Sequence, residues 1–259
     1  MKIHRAKKYL GQNFLKSEIA LRKIIEAGEI KKDDVILEIG PGKGKLTEKL
    51  LEKAGAVIAV EKDRELFEFL QIKFKKEIKN NSLRLVHDDI LKFNASAYGL
   101  KPRAYKILAN IPYNITGAIL KKFLSGENKP ELMVLMIQHE VGKRILARDG
   151  KESILSISVK AYGEPKMIMK VPARYFSPAP KVDSAVIVIK NISRKIFKEN
   201  EITENRFWEI VKSGFAHKRK KLSGNLKNII PREKLLSLGF ADKRAEDLTL
   251  SDWISLAGQ

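Results

Sequence analysis

Apolar residues gather into five short runs over the first half of the chain: 35–39 (VILEI), 56–61 (AVIAVE), 83–87 (LRLVH), 105–109 (YKILA) and 131–137 (ELMVLMI). Each has the length of a strand and a β-branched or aliphatic content to match. Between the runs, apolar side chains recur at helical spacing, at Leu46, Leu50 and Leu51 and again at Leu66, Phe69, Leu70 and Phe74. Strand and helix alternating in this way predict an α/β fold, a parallel sheet with helices on both faces. The near-continuous apolar strands agree with burial on both sides. After Ala147 the pattern changes to a helical stretch near 153–162. Two further runs come next, EPKMIMKVP and SAVIVIK, flanking the insert ARYFSPAPKVD, and they predict a hairpin-like pair that finishes the sheet. From about residue 192 only helical patterns remain: FWEIVKSGFAHKRKKL, then PREKLLSLGF with proline at a helix start, then SDWISLA with Ser251 as its cap. The expected division is a doubly wound α/β domain over residues 1–191 and a small all-helical domain over residues 192–259.

Composition narrows the chemistry. The 259 residues include no cysteine, which excludes disulfide scaffolds, thiolate metal sites and cysteine nucleophiles together. The four histidines, His4, His87, His139 and His217, have no ligand spacing, so no metal is expected. No apolar stretch approaches a membrane span, and the opening MKIHRAKKYLGQNF is basic without an apolar signal core; a soluble, cytoplasmic protein is expected. Fifty-one Lys and Arg against 31 Asp and Glu leave a net charge of +20. Such a chain attracts polyanions, and nucleic acid is the commonest intracellular one. A heat-adapted surface would instead carry both signs in balance.

Open α/β sheets bind ligands beyond the carboxyl ends of their strands, so the residues just after each run are the informative ones. After the first comes Glu38-Ile39-Gly40-Pro41-Gly42-Lys43-Gly44, whose glycines let backbone approach a ligand and turn the chain into a helix. A dinucleotide fingerprint would place its third glycine at position 45, where Lys45 stands, so a nicotinamide cofactor is disfavoured. The second run ends at Glu61, an acid positioned to take both hydroxyls of a ribose, and the third at His87-Asp88-Asp89, where a carboxylate can accept from an adenine amino group. The fourth stops abruptly at Asn110-Ile111-Pro112-Tyr113. Proline has no N–H to give a sheet, so it closes the strand and stiffens the turn after it, leaving one amide and one aromatic face for a flat, hydrogen-bonding ligand.

The E-x-G-x-G-x-G loop, the later acid and the third-strand Asp resemble the S-adenosylmethionine-dependent methyltransferases. The resemblance implies that Gly40 and Gly42 make room for the cofactor's methionine part, that Glu61 holds its ribose and that Asp89, rather than Asp88, holds its adenine. The sequence N-x-P-Y resembles the signature of methyltransferases acting on exocyclic amino nitrogens. In that light the Asn110 side-chain oxygen and the Ile111 carbonyl accept the hydrogens of an adenine N6, freeing its lone pair for methyl transfer by positioning and electrostatics. Tyr113 supplies a face for the flipped-out base. Phe176, in the Pro-rich insert, is expected to cover the base's other face.

Five stretches in order, KKYLGQNFL (7–15), EIGPGKGKLTE (38–48), NIPYNIT (110–116), VPARYFSPAPKVDSAV (171–186) and FAHKRKKLSGNLK (215–227), resemble the small-subunit ribosomal RNA adenine dimethyltransferases over nearly the whole chain. The resemblance implies a Rossmann-like class I methyltransferase sheet, S-adenosylmethionine as methyl donor with S-adenosylhomocysteine as product, and no metal. It implies two methylations at N6 of each of two adjacent adenosines in a hairpin near the RNA's 3′ end, within an immature 30S-type particle, by a monomer. Asn13 and Leu15 are implied as cofactor contacts and Asn110 as a contact of cofactor and base, with Pro112 fixing the loop. The basic residues Lys2, Arg5, Lys7, Lys8, Lys218, Arg219, Lys220, Lys221 and Lys227 would meet RNA phosphates without reading sequence. One segment departs from the family pattern: Lys151-Glu152-Ser153-Ile154-Leu155-Ser156 stands where a Tyr-Gly-Arg-Leu-Ser-like stretch is usual. The alternatives are a large-subunit (23S) rRNA adenine methyltransferase of the macrolide-resistance type, a mainly non-catalytic assembly or mitochondrial transcription factor, and a DNA adenine methyltransferase.

Overall fold

In a computed structural model the protein is described from residue 6 to residue 259, the side chain of Lys8 excepted, so the phosphate contacts expected of Lys2, Arg5 and the Lys8 side chain lie outside the described residues. The strands are β1 (Phe14–Leu15), β2 (Val35–Ile39), β3 (Ala56–Glu61), β4 (Leu83–His87), β5 (Lys106–Asn110), β6 (Leu132–Gln138), β7 (Glu164–Val171), β8 (Phe176–Ser177) and β9 (Ser184–Lys190). Seven form one mixed sheet in the order β4-β3-β2-β5-β6-β9-β7, and β1 pairs antiparallel with β8. The five apolar runs are the five parallel strands, and β9 and β7 add the expected antiparallel pair at one edge. Strand order reverses between β2 and β5, the switch point where such sheets leave a crevice.

The chain divides into two compact units, Met1–Gly142 with Glu164–Ile192 and Lys143–Gly163 with Ser193–Gln259. The second crossing falls where the sequence pattern turned helical, but residues 143–163, expected with the sheet, belong to the helical unit. Their helix Ile154–Lys160 is packed through Tyr162, whose hydroxyl donates to Glu204 (2.8 Å) and accepts from Trp208 Nε1 (3.0 Å). In the first unit the core is built from both the sheet and the helices, with Ile36, Leu50, Val57, Leu70, Leu108, Val134 and Val186 buried together. Each such side chain stabilises by about 2 kcal/mol through the apolar surface it removes from water.

The helical unit centres on Trp253, which is fully buried and stacks on Phe215 at 5.4 Å. Gly214 lies beneath its ring so closely that a Cβ there would stand 2.3 Å from it. The last helix, Leu250–Ala257, is capped by Thr249 in a reciprocal box with Asp252, not by Ser251 as expected; the box satisfies two orphan backbone donors, whereas Ser251 is already the second residue of the helix. Among the described residues no helix is long and apolar enough to cross a membrane.

Candidate active site

The crevice at the switch point is a cavity of about 490 Å³, a ligand-sized volume, lined by residues 9–16, the glycine loop after β2, Glu61, Asp88, Asp89 and the loop after β5. The glycine loop is built from left-handed turns: Gly40, Gly42 and Gly44 have φ of +64°, +60° and +77°. The three do different work. A Cβ on Gly40 would meet nothing within 4 Å, so its bare face is open space in the cavity wall; one on Gly42 would stand 3.1 Å from the Phe14 ring, and one on Gly44 2.6 Å from the Phe74 ring. Gly40 thus keeps a cradle that a methyl would fill, Gly42 admits Phe14, and Gly44 packs the following helix Lys45–Leu51 onto the core.

Two buried carboxyls stand behind the loop. Glu38 is 1% exposed and accepts from Thr47 Oγ1 at 2.7 Å; burial pushes its pKa up to about 8, so it is neutral at pH 7. Glu61 is raised by burial too, but its oxygens accept the Gly42 N–H (3.1 Å) and the Asp63 N–H (2.8 Å), which favour the charged form. Asp89 and Asp88 both line the cavity. A hydrogen bond from Lys62 (2.8 Å), with one from the Leu91 N–H (2.9 Å), holds Asp89 below the usual carboxylate range, while Asp88 accepts its neighbour's N–H at 2.7 Å.

Across the cavity, Asn110 is the last residue of β5. Its Nδ2 donates to the Asn13 carbonyl at 3.1 Å, and Asn13 in turn donates to the Gly11 carbonyl. Pro112 lies in an extended conformation and ends the strand, Ile111 is buried, and Tyr113 opens the turn into helix Thr116–Ser125. The Tyr113 hydroxyl shares a 2.5 Å hydrogen bond with Ser184 Oγ at the start of β9, which tethers the end of the ring; burial raises its pKa despite that bond. Segment 9–16 closes the remaining side, with Leu15 paired to Phe176 and Lys16 N–H donating to the Tyr175 carbonyl. A smaller cavity between Gly11, Asn13, Tyr113, Asn114 and Gln138 adjoins the same loop.

Of the residues singled out by sequence, Asn13, Leu15, Gly40, Gly42, Glu61, Asp89, Asn110, Pro112 and Tyr113 all line this one cavity. Phe176 does not: it is 2% exposed and lies in the core beside Leu15 and Val186. Successive residues of a strand point to opposite faces, so pairing β8 with β1 turns Ser177 toward the cavity and Phe176 away from it. The exposed aromatic of that insert is Tyr175, with Arg174 5.3 Å from its ring centroid. Lys7 also differs from expectation, being ion-paired to Asp63 (2.8 Å) and Glu65 (3.1 Å). In the helical unit Lys218, Arg219 and Lys220 are exposed on a turn, while Lys221 pairs with Asp242 at 2.8 Å. The divergent 151–156 segment is engaged within its own unit: Lys151 pairs with Glu246 (2.6 Å), Glu152 with Lys160, and Ser153 caps the helix after it. Sequence reading missed Asp63, Gln12 and the neutral Glu38. Each left a signal without a role: Asp63 stands just before an apolar helical pattern, and Gln12 and Glu38 lie within motifs that carry the family resemblance.

The chain matches the profile described as ribosomal RNA adenine dimethylase over residues 3–257. A ribosomal RNA small subunit methyltransferase A of Dehalococcoides mccartyi (strain CBDB1) is 40% identical, covering 97% of this chain and 87% of that protein. One from Fusobacterium nucleatum is 38% identical, with 99% and 97% covered. Among solved structures, a dimethyladenosine transferase from Plasmodium falciparum superposes with a TM-score of 0.80 at 29% identity, covering 94% of this chain and 95% of the other. The 23S rRNA methyltransferase ErmE gives 0.75 at 25%, with 95% and 98% covered.

Proposed function

The chain belongs to the ribosomal RNA adenine dimethylase family, and from that premise we propose that its cavity dimethylates N6 of two adjacent adenosines in the 3′-terminal hairpin of small-subunit rRNA. The protein is an rRNA methyltransferase, and use of S-adenosylmethionine follows from its class. The observation that carries the finer reading is Asn110: with Nδ2 committed to the Asn13 carbonyl, the amide's oxygen is the end left to accept from a substrate.

An adenine N6 is a poor nucleophile because its lone pair is delocalised into the ring. Asn110 Oδ1 and the Ile111 carbonyl, held by the rigid Pro112, accept its two hydrogens and favour a tetrahedral nitrogen. Tyr113, pinned through Ser184, offers a fixed face for the base. When bound, the cofactor supplies an electrophilic methyl on a positively charged sulfur. Its fit is supported by the open face of Gly40 and by the carboxyls of Glu61, for the ribose, and Asp89, for the adenine. The second methylation starts with one hydrogen fewer, which a single acceptor holds. The methylated nitrogen sheds its proton readily, so no side chain of matched pKa is required as a base. Phe176 acts from the core, keeping β8 against β1. Lys218, Arg219 and Lys220 meet phosphate, and the substrate is folded RNA in an immature small-subunit particle, modified by a monomer in the cytoplasm.

A large-subunit target is the competing reading, since ErmE shares the fold; the higher identity to the small-subunit relatives favours the first. Methyl transfer from labelled S-adenosylmethionine to immature small subunits and to large-subunit RNA, with nucleoside analysis, decides between them. N6,N6-dimethyladenosine in the small subunit alone is expected; label in the large-subunit RNA overturns it.

A further inference from the structure

We propose that Asp63 is a positioning residue that fastens segment 7–16 over the cavity and thereby fixes the Asn110 amide. The inference rests on the methyltransferase reading of the cavity but not on which RNA is modified. Asp63 is 2% exposed and comes after β3 as the cap of helix Arg64–Lys73, accepting the Glu65 N–H at 3.0 Å. A cap needs one acceptor. This carboxylate also holds a segment more than fifty residues away: Lys7 Nζ donates to Oδ1 at 2.8 Å and Gln12 Nε2 to Oδ2 at 2.7 Å. The Lys7 N–H closes the ring by donating to Gln12 Oε1 at 2.8 Å. Charge-assisted bonds to a carboxylate withdrawn from water are the strong kind.

The segment has a second anchor at its other end, where Lys16 N–H bonds the Tyr175 carbonyl and Leu15 pairs with Phe176. Between the anchors Gly11, at φ +66°, turns the chain so tightly against the loop after β5 that a Cβ would stand 3.3 Å from Asn114 Oδ1 and 3.4 Å from Pro112. The next-but-one carbonyl, that of Asn13, takes Asn110 Nδ2. A primary amide can present oxygen or nitrogen to a ligand, and only a fixed partner on one end decides which. Segment 7–16 supplies that partner, and Asp63 holds segment 7–16. Because the Asp63 N–H also donates to Glu61 Oε1, one residue ties the proposed ribose acid, the covering segment and the catalytic amide together.

If Asp63 served only as a helix cap, its substitution would lower the melting temperature and leave ligand affinity alone. Two variants separate the cases. Asp63→Asn keeps a capping oxygen but loses the charge, and Gln12→Leu breaks the clasp from the other side with the cap intact. Three readouts are taken on the full chain: trypsin cleavage after Lys16 without ligand, the Kd for S-adenosylhomocysteine by calorimetry, and kcat and KM on small-subunit rRNA, with melting temperature as fold control. Both variants should be cleaved faster and bind S-adenosylhomocysteine about tenfold more weakly, the equivalent of one charge-assisted hydrogen bond. Lower kcat at saturating cofactor should accompany this as Asn110 loses its orientation, and the double variant should be no worse than Asp63→Asn, since both remove one contact. Wild-type cleavage and affinity in Gln12→Leu, or additive losses in the double variant, overturn the proposal. Should the wild type leave small-subunit RNA unlabelled, the substrate reading fails, while cleavage and affinity still decide the clasp.

Discussion

Substituting alanine at Gly40 and at Gly44 should separate cofactor binding from folding within one five-residue loop. Both glycines have positive φ, so either alanine carries the left-handed penalty of about 1–2 kcal/mol. Beyond that they diverge. The Gly40 methyl would enter open space, so Gly40→Ala should cost no more than the backbone term, about 4 °C in melting temperature for a chain of this size. The Gly44 methyl would stand 2.6 Å from the Phe74 ring and 3.0 Å from Leu70, which adds overpacking of about 1–3 kcal/mol and should lower the melting temperature by about 10 °C. Affinity should run the other way. Gly40 lines the cavity and Gly44 does not, so Gly40→Ala should weaken S-adenosylhomocysteine about tenfold or more while Gly44→Ala stays within about twofold below its melting range. Calorimetric titration at 20 °C beside thermal melts of the three proteins reads both quantities. Undiminished affinity in Gly40→Ala would refute the assignment of that open face to the cofactor.

Asn110→Ala should lower kcat by about a hundredfold to a thousandfold, as for loss of one preorganised polar group, with cofactor Kd nearly intact; equal loss of both in single-turnover and titration assays would sink its role. Glu38 titrates near pH 8 folded against 4.5 in the unfolded chain, so the folded state holds the extra proton between these values. Its contribution is fully present below pH 4.5 and is lost as pH rises through 8. Glu38→Gln should therefore gain on the wild type by roughly 5 kcal/mol between pH 4 and 9, and parallel urea midpoints across that range would contradict it. Replacing Lys218, Arg219 and Lys220 together by alanine should flatten the slope of log K against log salt for RNA binding by about 2–3, since each phosphate contact contributes about 0.7–0.9. An unchanged slope would remove that turn from the RNA interface.

Both the parallel strands and the gathering of strand-end residues around one cavity were legible because each is local: an apolar run and the few residues after it carry their own signal. What the sequence concealed is non-local. Strands β1 and β8 are two residues each and lie some 160 residues apart, too short for any period, yet their pairing decides that Phe176 faces the core and Ser177 the cavity. Lys7 reads as one more surface cation until the fold brings Asp63 to it. Residues 143–163 look like one more helical connection of the sheet, and long-range contacts, Tyr162 with Glu204 and Trp208 and Lys151 with Glu246, tie them to the other unit.

Charge around the cavity is segregated by depth, which reconciles a +20 polypeptide with a cationic cofactor. The buried titratable residues that line the cavity are carboxyls, Glu38 and Glu61, whereas its lysines, Lys16, Lys43, Lys45 and Lys62, are all exposed. Burying several like charges side by side would be costly, and each acid escapes the cost differently. Glu38 keeps its proton, Glu61 is met by two backbone N–H groups, and Asp63 next to it is paired with Lys7. The interior is therefore able to receive positive charge without itself bearing three unpaired negatives. Phosphates are drawn to the lysine-rich exterior, so a polyanionic RNA and a sulfonium ligand are attracted to different depths of one molecule.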